Sequence, residues 1–317
     1  MAGSTISICN EPDEFEAGLG HGGHVELWVT QPGPFRARLV RFALPHATLL
    51  VTEETSPRIA FISPAPDAVV VVVPLDGESP QIWAGTPLRT GAILTITRGQ
   101  PVHAQTTGPC RTAIVCFTAP DFARFTDILI GSYFALPAGV QLWNVAPSAL
   151  RSFTRLYLAT VQVNPAHPAA PAYGDVAHGL EHELTSALFA CLSGEPLKVP
   201  TAKRQRHLAL MTRFEAVLRA HPDGLPVALN VCTALGVSLR TLQTCCRKHL
   251  GMPPSRYFHF RQLHRVHHAL RGADPTRTTV SQIARRYGVT ELGRFAGNYR
   301  ALFGEHPSVT MQRVPLT

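Results

Sequence analysis

Residues 231–238 read VCTALGVS, and residues 283–290 read IARRYGVT. At an offset of 52 residues, the two segments share an apolar residue, a small residue, three variable residues, Gly, Val and a hydroxyl residue. This order predicts a helix, a turn at the glycine and the N-cap of a second helix. Each second helix then ends at a glycine followed three residues later by a proline, Gly251 with Pro254 and Gly304 with Pro307. The sequence therefore predicts a helix-turn-helix unit that occurs twice.

A long apolar stripe lies between the two units, where residues 253–272 read PPSRYFHFRQLHRVHHALRG. Its apolar positions recur at steps of three and four residues: Tyr257, Phe260, Leu263, Val266 and Leu270. This spacing predicts one continuous helix of about 18 residues, roughly 27 Å long. A rigid helix of that length would hold the two units about one turn of duplex DNA, ~34 Å, apart.

The positive charge of the chain is concentrated in the same region. The 317 residues have a formal net charge of +8, yet residues 203–317 contain 18 Lys and Arg against 5 Asp and Glu. Residues 1–202 contain 11 against 16 and are net acidic. Only 3 of the 29 basic residues are Lys, and the planar guanidinium of Arg suits phosphates and guanine edges. The C-terminal third is therefore the part expected to bind a polyanion.

The N-terminal two thirds have a different pattern. Short β-type runs alternate with Pro, Gly, Asp and Ser, at 25–30, 37–42, 48–52, 59–62, 68–73, 82–84, 92–97 and 112–117. Eight runs at this spacing predict a small sandwich or barrel, with the apolar run at 68–73 as a central strand. Helical periodicity follows at 147–163 and 179–192, which predicts two helices.

Composition excludes several classes of protein. No apolar run approaches the roughly 18 residues needed to span a bilayer. The first 20 residues contain four acids and neither Lys nor Arg, unlike a secretory signal. Seven Cys at irregular spacings, with Cys245 and Cys246 adjacent, do not form a disulfide framework. We therefore expect a reduced, cytoplasmic protein.

The C-terminal sequence resembles the AraC/XylS family of bacterial transcription regulators. The resemblance covers residues 205–313 and rests on the paired units, on ADPTRTTVSQIARRYGV at 273–289, and above all on ELGRFAGNYRALFGEHPS at 291–308. Within the family, the chain is most similar to the XylS/BenR-like branch. That branch commonly activates catabolic operons in response to small effectors such as aromatic carboxylates.

The resemblance implies an α+β fold in two domains. A cupin-like, effector-binding and dimerisation β-barrel plus helices would span residues 1–195, a linker 196–204, and an all-α double helix-turn-helix domain 205–317. The first helix-turn-helix would occupy about 228–250 and the second about 279–303. The helices at 147–163 and 179–192 would mediate a homodimer or would pack on the barrel instead.

In a helix-turn-helix, the N-terminal turns of the second helix enter the major groove. In unit one, Leu242 should face the core. The outward face then carries the predicted base-reading residues Arg240, Gln243 and Thr244. Further predicted contacts are Arg247 and Lys248, to phosphates, and the helix cap Ser238. Cys246 is expected to pack in the core.

In unit two, the second helix is expected to start at Thr290. Its predicted core residues are Phe295, Tyr299 and Leu302. Its predicted DNA contacts are Arg294, Asn298 and Arg300. Family residues aligned with Gly293 and Gly297 can contact bases, whereas these two glycines have no side chains. We therefore expect unit two to rely more on phosphate contacts and DNA shape.

The sequence predicts no metal, cofactor or catalytic site. His264, His267 and His268 have i, i+3, i+4 spacing, but no Cys or carboxylate completes a tetrahedral set. We expect these histidines to be exposed or packed against phosphates. The paired His, Glu and distant His of a metal-binding cupin are also missing, which disfavours dioxygenase chemistry. A small-molecule pocket in the barrel remains, with the candidate effector contacts Arg41, Trp83 and His103.

The sequence therefore predicts a sequence-specific DNA-binding transcription regulator, an effector-responsive activator of a catabolic or stress operon and not an enzyme. Its expected partners are double-stranded promoter DNA, RNA polymerase, a small-molecule effector and a second copy in a homodimer. It would be associated with the bacterial nucleoid when bound. Two alternatives remain open: a cupin-type metalloenzyme with a basic tail, and a thiol-responsive regulator in which Arg247 and Lys248 lower the pKa of a neighbouring cysteine.

Overall fold

The computed structural model of the chain describes residues 3–20, 23–77, 79–130, 136–162, 174–193, 202–221 and 228–312. Its strands are β1 (Gly3–Cys9), β2 (Gly23–Val29), β3 (Ala37–Ala43), β4 (Ala47–Glu54), β5 (Arg58–Pro64), β6 (Ala68–Pro74), β7 (Gln81–Trp83), β8 (Thr86–Leu88), β9 (Ala92–Ile96), β10 (Val102–Thr106), β11 (Cys110–Thr118) and β12 (Val140–Asn144). Its helices are α1 (Pro12–Leu19), α2 (Ala119–Ile130), α3 (Pro147–Val161), α4 (Gly174–Leu192), α5 (Ala202–Arg219), α6 (Ala228–Leu235), α7 (Leu239–Leu250), α8 (Pro254–Arg271), α9 (Val280–Arg286), α10 (Leu292–Phe303) and α11 (Pro307–Gln312).

Two antiparallel sheets form the N-terminal barrel. The first has seven strands in the order β1-β3-β4-β11-β6-β9-β12, and the second has five in the order β2-β5-β10-β7-β8. The run AVVVVVP is the central strand β6, as predicted, because β11 and β9 pair with its two edges. Val71 faces the core beneath helices α3 and α4, whereas Val72 faces the barrel interior. Both faces of β6 are buried, which explains why this run does not alternate with polar residues.

All eight predicted β-type runs are strands, and the structure adds β1, β8, β10 and β12. Strand β10 reads VHAQT, and its polar residues His103 and Gln105 are buried. Residues Val102 to Gln105 alternate apolar and polar side chains, but three of the five residues of β10 are polar, so the run has too few apolar residues to indicate a strand. Strand β8 has three residues, one of which is Pro87, a residue that disfavours strand assignment.

Helices α3 and α4 cover the outer face of the seven-stranded sheet. Phe153 and Tyr157 of α3 and Leu184 and Leu188 of α4 are buried in one cluster with residues of β4, β6 and β11. The predicted alternative that these helices pack on the barrel is therefore confirmed. The homodimer stays a prediction.

Helices α5 to α11 form the C-terminal domain. Helix α8 is one continuous helix of 18 residues, and the five residues of its predicted apolar stripe are buried. Helices α7 and α10 end at Gly251 (φ +69°) and Gly304 (φ +76°), both in the left-handed region that favours glycine. The predicted linker at 196–204 falls largely outside the described residues, and α5 begins at Ala202. The predicted α+β fold, a cupin-like barrel followed by an all-α double helix-turn-helix domain, is confirmed.

The two domains share one apolar cluster. Trp28, Ile59 and Phe61 of the five-stranded sheet are buried together with residues of α5, α7 and α8, including Phe214 and Tyr257. The outer face of the five-stranded sheet is therefore the surface on which the C-terminal domain packs.

Within the described residues, no helix combines the length and apolarity needed to cross a bilayer.

Candidate DNA-binding surface and interdomain network

Helix α7 carries the predicted reading surface of unit one. Ser238 caps the helix, since its side-chain oxygen accepts a hydrogen bond from the backbone N–H of Thr241 at 3.2 Å. Leu242 is fully buried, and Cys246 packs in the core, as predicted. The predicted cap and the predicted core positions of unit one are therefore confirmed.

The predicted base-reading residues lie on the outer side of α7. Arg240 and Thr244 are exposed and Gln243 is half-buried. The Thr244 hydroxyl donates a hydrogen bond to the Arg240 carbonyl at 2.8 Å, which leaves the hydroxyl oxygen available as an acceptor. Arg247 and Lys248, one turn further on, are also exposed. Contact of these side chains with DNA stays a prediction.

Unit two differs from the prediction at its start. The N-cap of α10 is Glu291, which makes no side-chain capping hydrogen bond, so the predicted start at Thr290 is wrong by one residue. Phe295, Tyr299 and Leu302 are buried, as predicted. The predicted DNA contacts Arg294 and Arg300 are exposed, and Asn298 is half-buried. Without a capping side chain, the amides at the N-terminus of α10 remain available to another acceptor.

Two exposed glycines lie on the same helix. A Cβ atom built on Gly293 or Gly297 would meet nothing within 4 Å. The packing of the free protein therefore does not require glycine at either position, although each glycine costs about 1 kcal/mol of helix stability relative to alanine. Because these glycines have no side chains, the backbone is accessible on the exposed side of α10, which would allow a phosphate to approach it closely.

Two of the histidines of α8 are placed differently from the prediction. His264 is buried, with its Nε2 atom 2.9 Å from the carbonyl oxygen of Val29 in β2. His267 Nδ1 lies 2.7 Å from the Tyr299 hydroxyl, and His268 Nδ1 lies 2.9 Å from an Asp13 carboxylate oxygen. His268 is exposed, as predicted. For His264 and His267 the expectation of exposure or phosphate contact is wrong, because α8 packs between the barrel and α10 and buries both side chains.

A buried carboxylate links the two domains. Glu215 of α5 is 0% exposed. Its Oε1 accepts hydrogen bonds from His103 Nε2 at 2.9 Å and from the Tyr257 hydroxyl at 2.6 Å, and its Oε2 pairs with Arg261. Burial alone would raise the pKa of Glu215, but the Arg261 charge and the two hydrogen bonds lower that pKa to about 2. His103 is the barrel residue in this network, and the other three side chains belong to the C-terminal domain.

Arg261 extends the network to strand β2. Its guanidinium pairs with Glu26 at 3.5 Å and lies 5.0 Å from the ring centroid of Trp28. The Trp28 ring meets the Tyr257 ring edge-on, with centroids 5.3 Å apart. The charge of Arg261 is thus compensated by one carboxylate from each domain, so separation of the domains would remove half of that compensation.

The C-terminal end of α7 also packs on the barrel. His249 is 1% exposed and abuts Gly85, where an added Cβ would lie 2.8 Å from the His249 Nε2 atom. Burial, together with the nearby positive or ionisable groups His103, His207, Lys248 and Arg204, lowers the pKa of His249 to about 3. Burial likewise lowers the pKa of His264 to about 4, with His267 and Asp13 as its charged neighbours. Both histidines are therefore neutral in the docked arrangement at neutral pH.

A cavity of about 130 Å³ lies inside the barrel. Arg41 and Trp83, two predicted effector contacts, are among its lining residues. Arg41 donates a hydrogen bond to the Gly18 carbonyl at 2.9 Å, and burial lowers the pKa of its guanidinium. His103 does not line the cavity, because its ring points to Glu215 on the opposite face of the sheet. The prediction that His103 contacts an effector in this cavity is therefore wrong.

Strand β5 separates the cavity from the C-terminal domain. Ala60 and Ile62 line the cavity, whereas Ile59 and Phe61 belong to the interdomain cluster. Successive side chains of a strand point to opposite faces of the sheet, so a single layer of backbone lies between the two environments.

The adjacent cysteines of α7 are inaccessible. Cys245 and Cys246 are both 0% exposed, and burial raises the pKa of each thiol above its ordinary value. The expectation that Arg247 and Lys248 would lower such a pKa is wrong, because desolvation has the larger effect. This arrangement does not favour a thiol switch.

Potential metal ligands meet away from the barrel cavity. Among the described residues, His46, His178 and Glu181 place their ligand atoms within 4.8 Å of one another. None of the three lines the cavity. The sequence did not indicate this group, because His46 lies more than 130 positions from the other two residues.

The C-terminal domain contains two helix-turn-helix units, α6–α7 and α9–α10, which the single helix α8 joins. This arrangement defines a double helix-turn-helix domain, a class of DNA-binding domain. The profile of one protein family, described as a helix-turn-helix domain, matches residues 231–313. A probable thc operon regulatory protein of Rhodococcus erythropolis is 36% identical over 98 residues, which are 31% of this chain and 30% of that protein. A XylDLEGF operon transcriptional activator of Pseudomonas putida is 38% identical over 103 residues, 32% of each chain.

These matches confirm that the C-terminal domain resembles regulators of the AraC/XylS type. They span about a third of the length of the curated relatives. The AraC-like transcriptional activator CuxR aligns with 90% of this chain and 99% of its own, with 11% identity and a TM-score of 0.41. A likeness at that level is too low to transfer a function.

Proposed function

We propose that the chain is a sequence-specific transcription regulator that binds promoter DNA through helices α7 and α10. The observation that carries the proposal is the exposed side of a capped helix α7, with Arg240, Gln243 and Thr244 on its first turns. The strong positive charge of residues 203–317 supports it, as does the likeness of this domain to named operon regulators. Regulation would take place at the bacterial nucleoid.

The proposed activity is effector-responsive activation of a catabolic or stress operon. Residues 1–195 would sense the effector in the barrel cavity, with Arg41 and Trp83 as contacts, and residues 205–317 would bind DNA and meet RNA polymerase. The cavity is mostly apolar, with the Arg41 guanidinium at its wall, and this chemistry suits a small, mainly apolar effector. Light scattering of the full chain would test whether it is a homodimer.

The interdomain packing supports a route for regulation. An effector that displaces β5 or β2 from within the cavity would also displace Phe61 and Trp28, on which the C-terminal domain packs. Effector binding would thereby shift the balance between docked and released domains. The position of the two helix-turn-helix units relative to the barrel would then depend on the effector.

Replacement of Arg240 by alanine tests the DNA-binding proposal. If Arg240 reads a base, the variant should bind its cognate site about 1–3 kcal/mol more weakly and lose selectivity at one base pair. Gel-shift titrations over single-base variants of the site would measure both effects. Arg206→Ala, which removes an exposed arginine from α5, is the matched control. Equal binding by the Arg240→Ala variant and the control would reject the role of α7.

We also propose that the chain is not an enzyme. The relatives of its C-terminal domain are named operon regulators. The metalloenzyme alternative would require the cluster of His46, His178 and Glu181 to act on a substrate, although this cluster lies outside the cavity lining. Selective DNA binding that persists after treatment with a chelator would support the regulator. Metal-dependent turnover of a substrate would support the alternative.

A further inference from the structure

A buried arginine lies where α5 meets the barrel. Arg204 is 5% exposed, and its Nε, Nη1 and Nη2 atoms have no hydrogen-bond partner among the described residues. The guanidinium group remains protonated in proteins and offers five N–H donors. Burial of an unpaired charge is costly, so native structures nearly always pair such a group. The part of the chain that the structure describes therefore holds a buried cation without its counter-charge.

Arg204 lines a cavity of about 460 Å³ between the two domains. The barrel contributes Thr97, Arg98 and Gln100 from the turn between β9 and β10, together with the start of β12. Helix α5 contributes Gln205 beside Arg204. None of the described lining residues is Asp or Glu, so the two lining arginines, buried Arg204 and exposed Arg98, have no acidic neighbour in this wall.

Two further features lie near this cavity, the backbone conformation of Arg98 and the unpartnered nitrogen atoms of two histidines. Arg98 has φ +57°, a left-handed conformation that a non-glycine residue rarely adopts. His207, one helical turn from Arg204, has a buried Nδ1 atom with no partner in the described ranges. His249, with ring centroid 6.4 Å from that of His207, has two such nitrogen atoms. The His207 and His249 rings therefore leave buried nitrogen atoms without a partner near this end of α5, and each neutral imidazole offers one N–H donor.

We propose that the cavity at Arg204 binds a small organic oxyanion, a carboxylate or a phosphate ester, whose charged group pairs with Arg204 and Arg98. Its lining comes from both domains, so the bound anion would join α5 to the barrel and stabilise the docked arrangement. The site is separate from the barrel cavity, since the two share no described lining residue. A phosphate of duplex DNA would not reach a guanidinium that is 5% exposed. The proposal therefore goes beyond the DNA-binding function and does not rest on it.

Calorimetric titration of the full chain with inorganic phosphate, and separately with acetate, tests the site. We expect one saturable binding event for at least one of the two anions. The Arg204→Gln variant should weaken that event by about tenfold or more, the effect of losing one partner of a buried charge pair. Arg206→Gln, an exposed arginine two residues away, should leave it unchanged. Tighter binding of phosphate would identify the ligand as a phosphate ester, and tighter binding of acetate would identify it as a carboxylate.

Thermal unfolding gives a second readout, which a purely structural role of Arg204 would not produce. Without an added anion, Arg204→Gln should unfold at a higher temperature than the wild type, because the variant removes an uncompensated buried charge. Saturating phosphate or acetate should raise the unfolding temperature of the wild type but not that of the variant.

Three outcomes would overturn the proposal. They are the absence of saturable binding of either anion, equal anion affinities in Arg204→Gln and Arg206→Gln, and a lower unfolding temperature of Arg204→Gln in anion-free buffer. The DNA-binding proposal fails separately, since Arg240→Ala should leave anion affinity unchanged.

Discussion

Replacement of His103 by alanine should loosen the contact between the domains without unfolding either one. His103 Nε2 lies 2.9 Å from Glu215 Oε1 and comes from the barrel, whereas Tyr257 and Arg261 hold the same carboxylate from within the C-terminal domain. A hydrogen bond to a charged group contributes about 1.5–3 kcal/mol. The equilibrium constant for docking should therefore fall roughly 10- to 150-fold, at about 1.4 kcal/mol for each factor of ten.

Urea unfolding and small-angle X-ray scattering measure this change. We expect the wild type to unfold its two domains together, because they share an apolar cluster and a buried carboxylate. The His103→Ala variant should show separate transitions and a larger radius of gyration in water. His103→Gln, whose amide can donate to Glu215, should restore much of the wild-type behaviour. His182→Ala, which removes an exposed histidine of α4, is the control.

An unchanged unfolding curve and an unchanged radius of gyration in His103→Ala would refute this role of His103. Identical behaviour of His103→Gln and His103→Ala would refute it as well, since the hydrogen bond would then not be what His103 contributes.

Three further predictions follow from buried groups and from an exposed glycine. Lowering the pH from 7 to about 5 should weaken docking, since His249 and His264 are neutral when docked and have pKa values lowered to about 3 and about 4. The stabilisation of docking by these neutral histidines is fully present above their ordinary pKa of about 6.5 and is lost as the pH falls toward about 4. The docking equilibrium constant should fall by up to roughly tenfold per histidine per pH unit, and small-angle scattering at the two pH values checks this. Gly297→Ala should stabilise the free protein by about 0.5–1 kcal/mol in urea unfolding, because its Cβ would meet nothing within 4 Å; weaker DNA binding in the same variant would indicate that DNA approaches the backbone there. Peroxide should leave DNA affinity unchanged, because Cys246 is 0% exposed and burial raises the pKa of its thiol; rapid alkylation of Cys246 in the folded protein would contradict this.

The sequence predicted those parts of the protein that depend on local patterns. Helix periodicity, the cap at Ser238 and the glycine at Gly251 are short-range signals, and α7 has the predicted cap, core and end. The start of α10 was misplaced, because a hydroxyl residue at Thr290 resembles a cap whether or not its side chain makes the bond. The strand runs were found for the same reason, since alternation and turn residues are both local.

The interdomain network was not predictable in this way. His103 and Glu215 are separated by 112 positions, and each is a single polar residue in an otherwise ordinary segment. Periodicity indicates which face of an element is buried but not which element covers it. The histidines of α8 show the same limit, because His264 lies on a buried face whose partner, the Val29 carbonyl, belongs to a distant strand.

The five-stranded sheet gives the proposed regulation its physical basis. Strand β10 places Val102 and Ala104 in the apolar core inside the barrel, and it places His103 on its outer face, against Glu215. The interior and the domain interface are thus built on alternate residues of the same strands, so a change of strand position affects both at once. An effector can shift the docking equilibrium only by the difference in its affinity for the two arrangements, typically 1–3 kcal/mol. The His103–Glu215 hydrogen bond is worth about the same, so an effector that moves the five-stranded sheet by enough to break that bond would shift the docking equilibrium toward release by about 1.5–3 kcal/mol, against the apolar cluster that still favours docking.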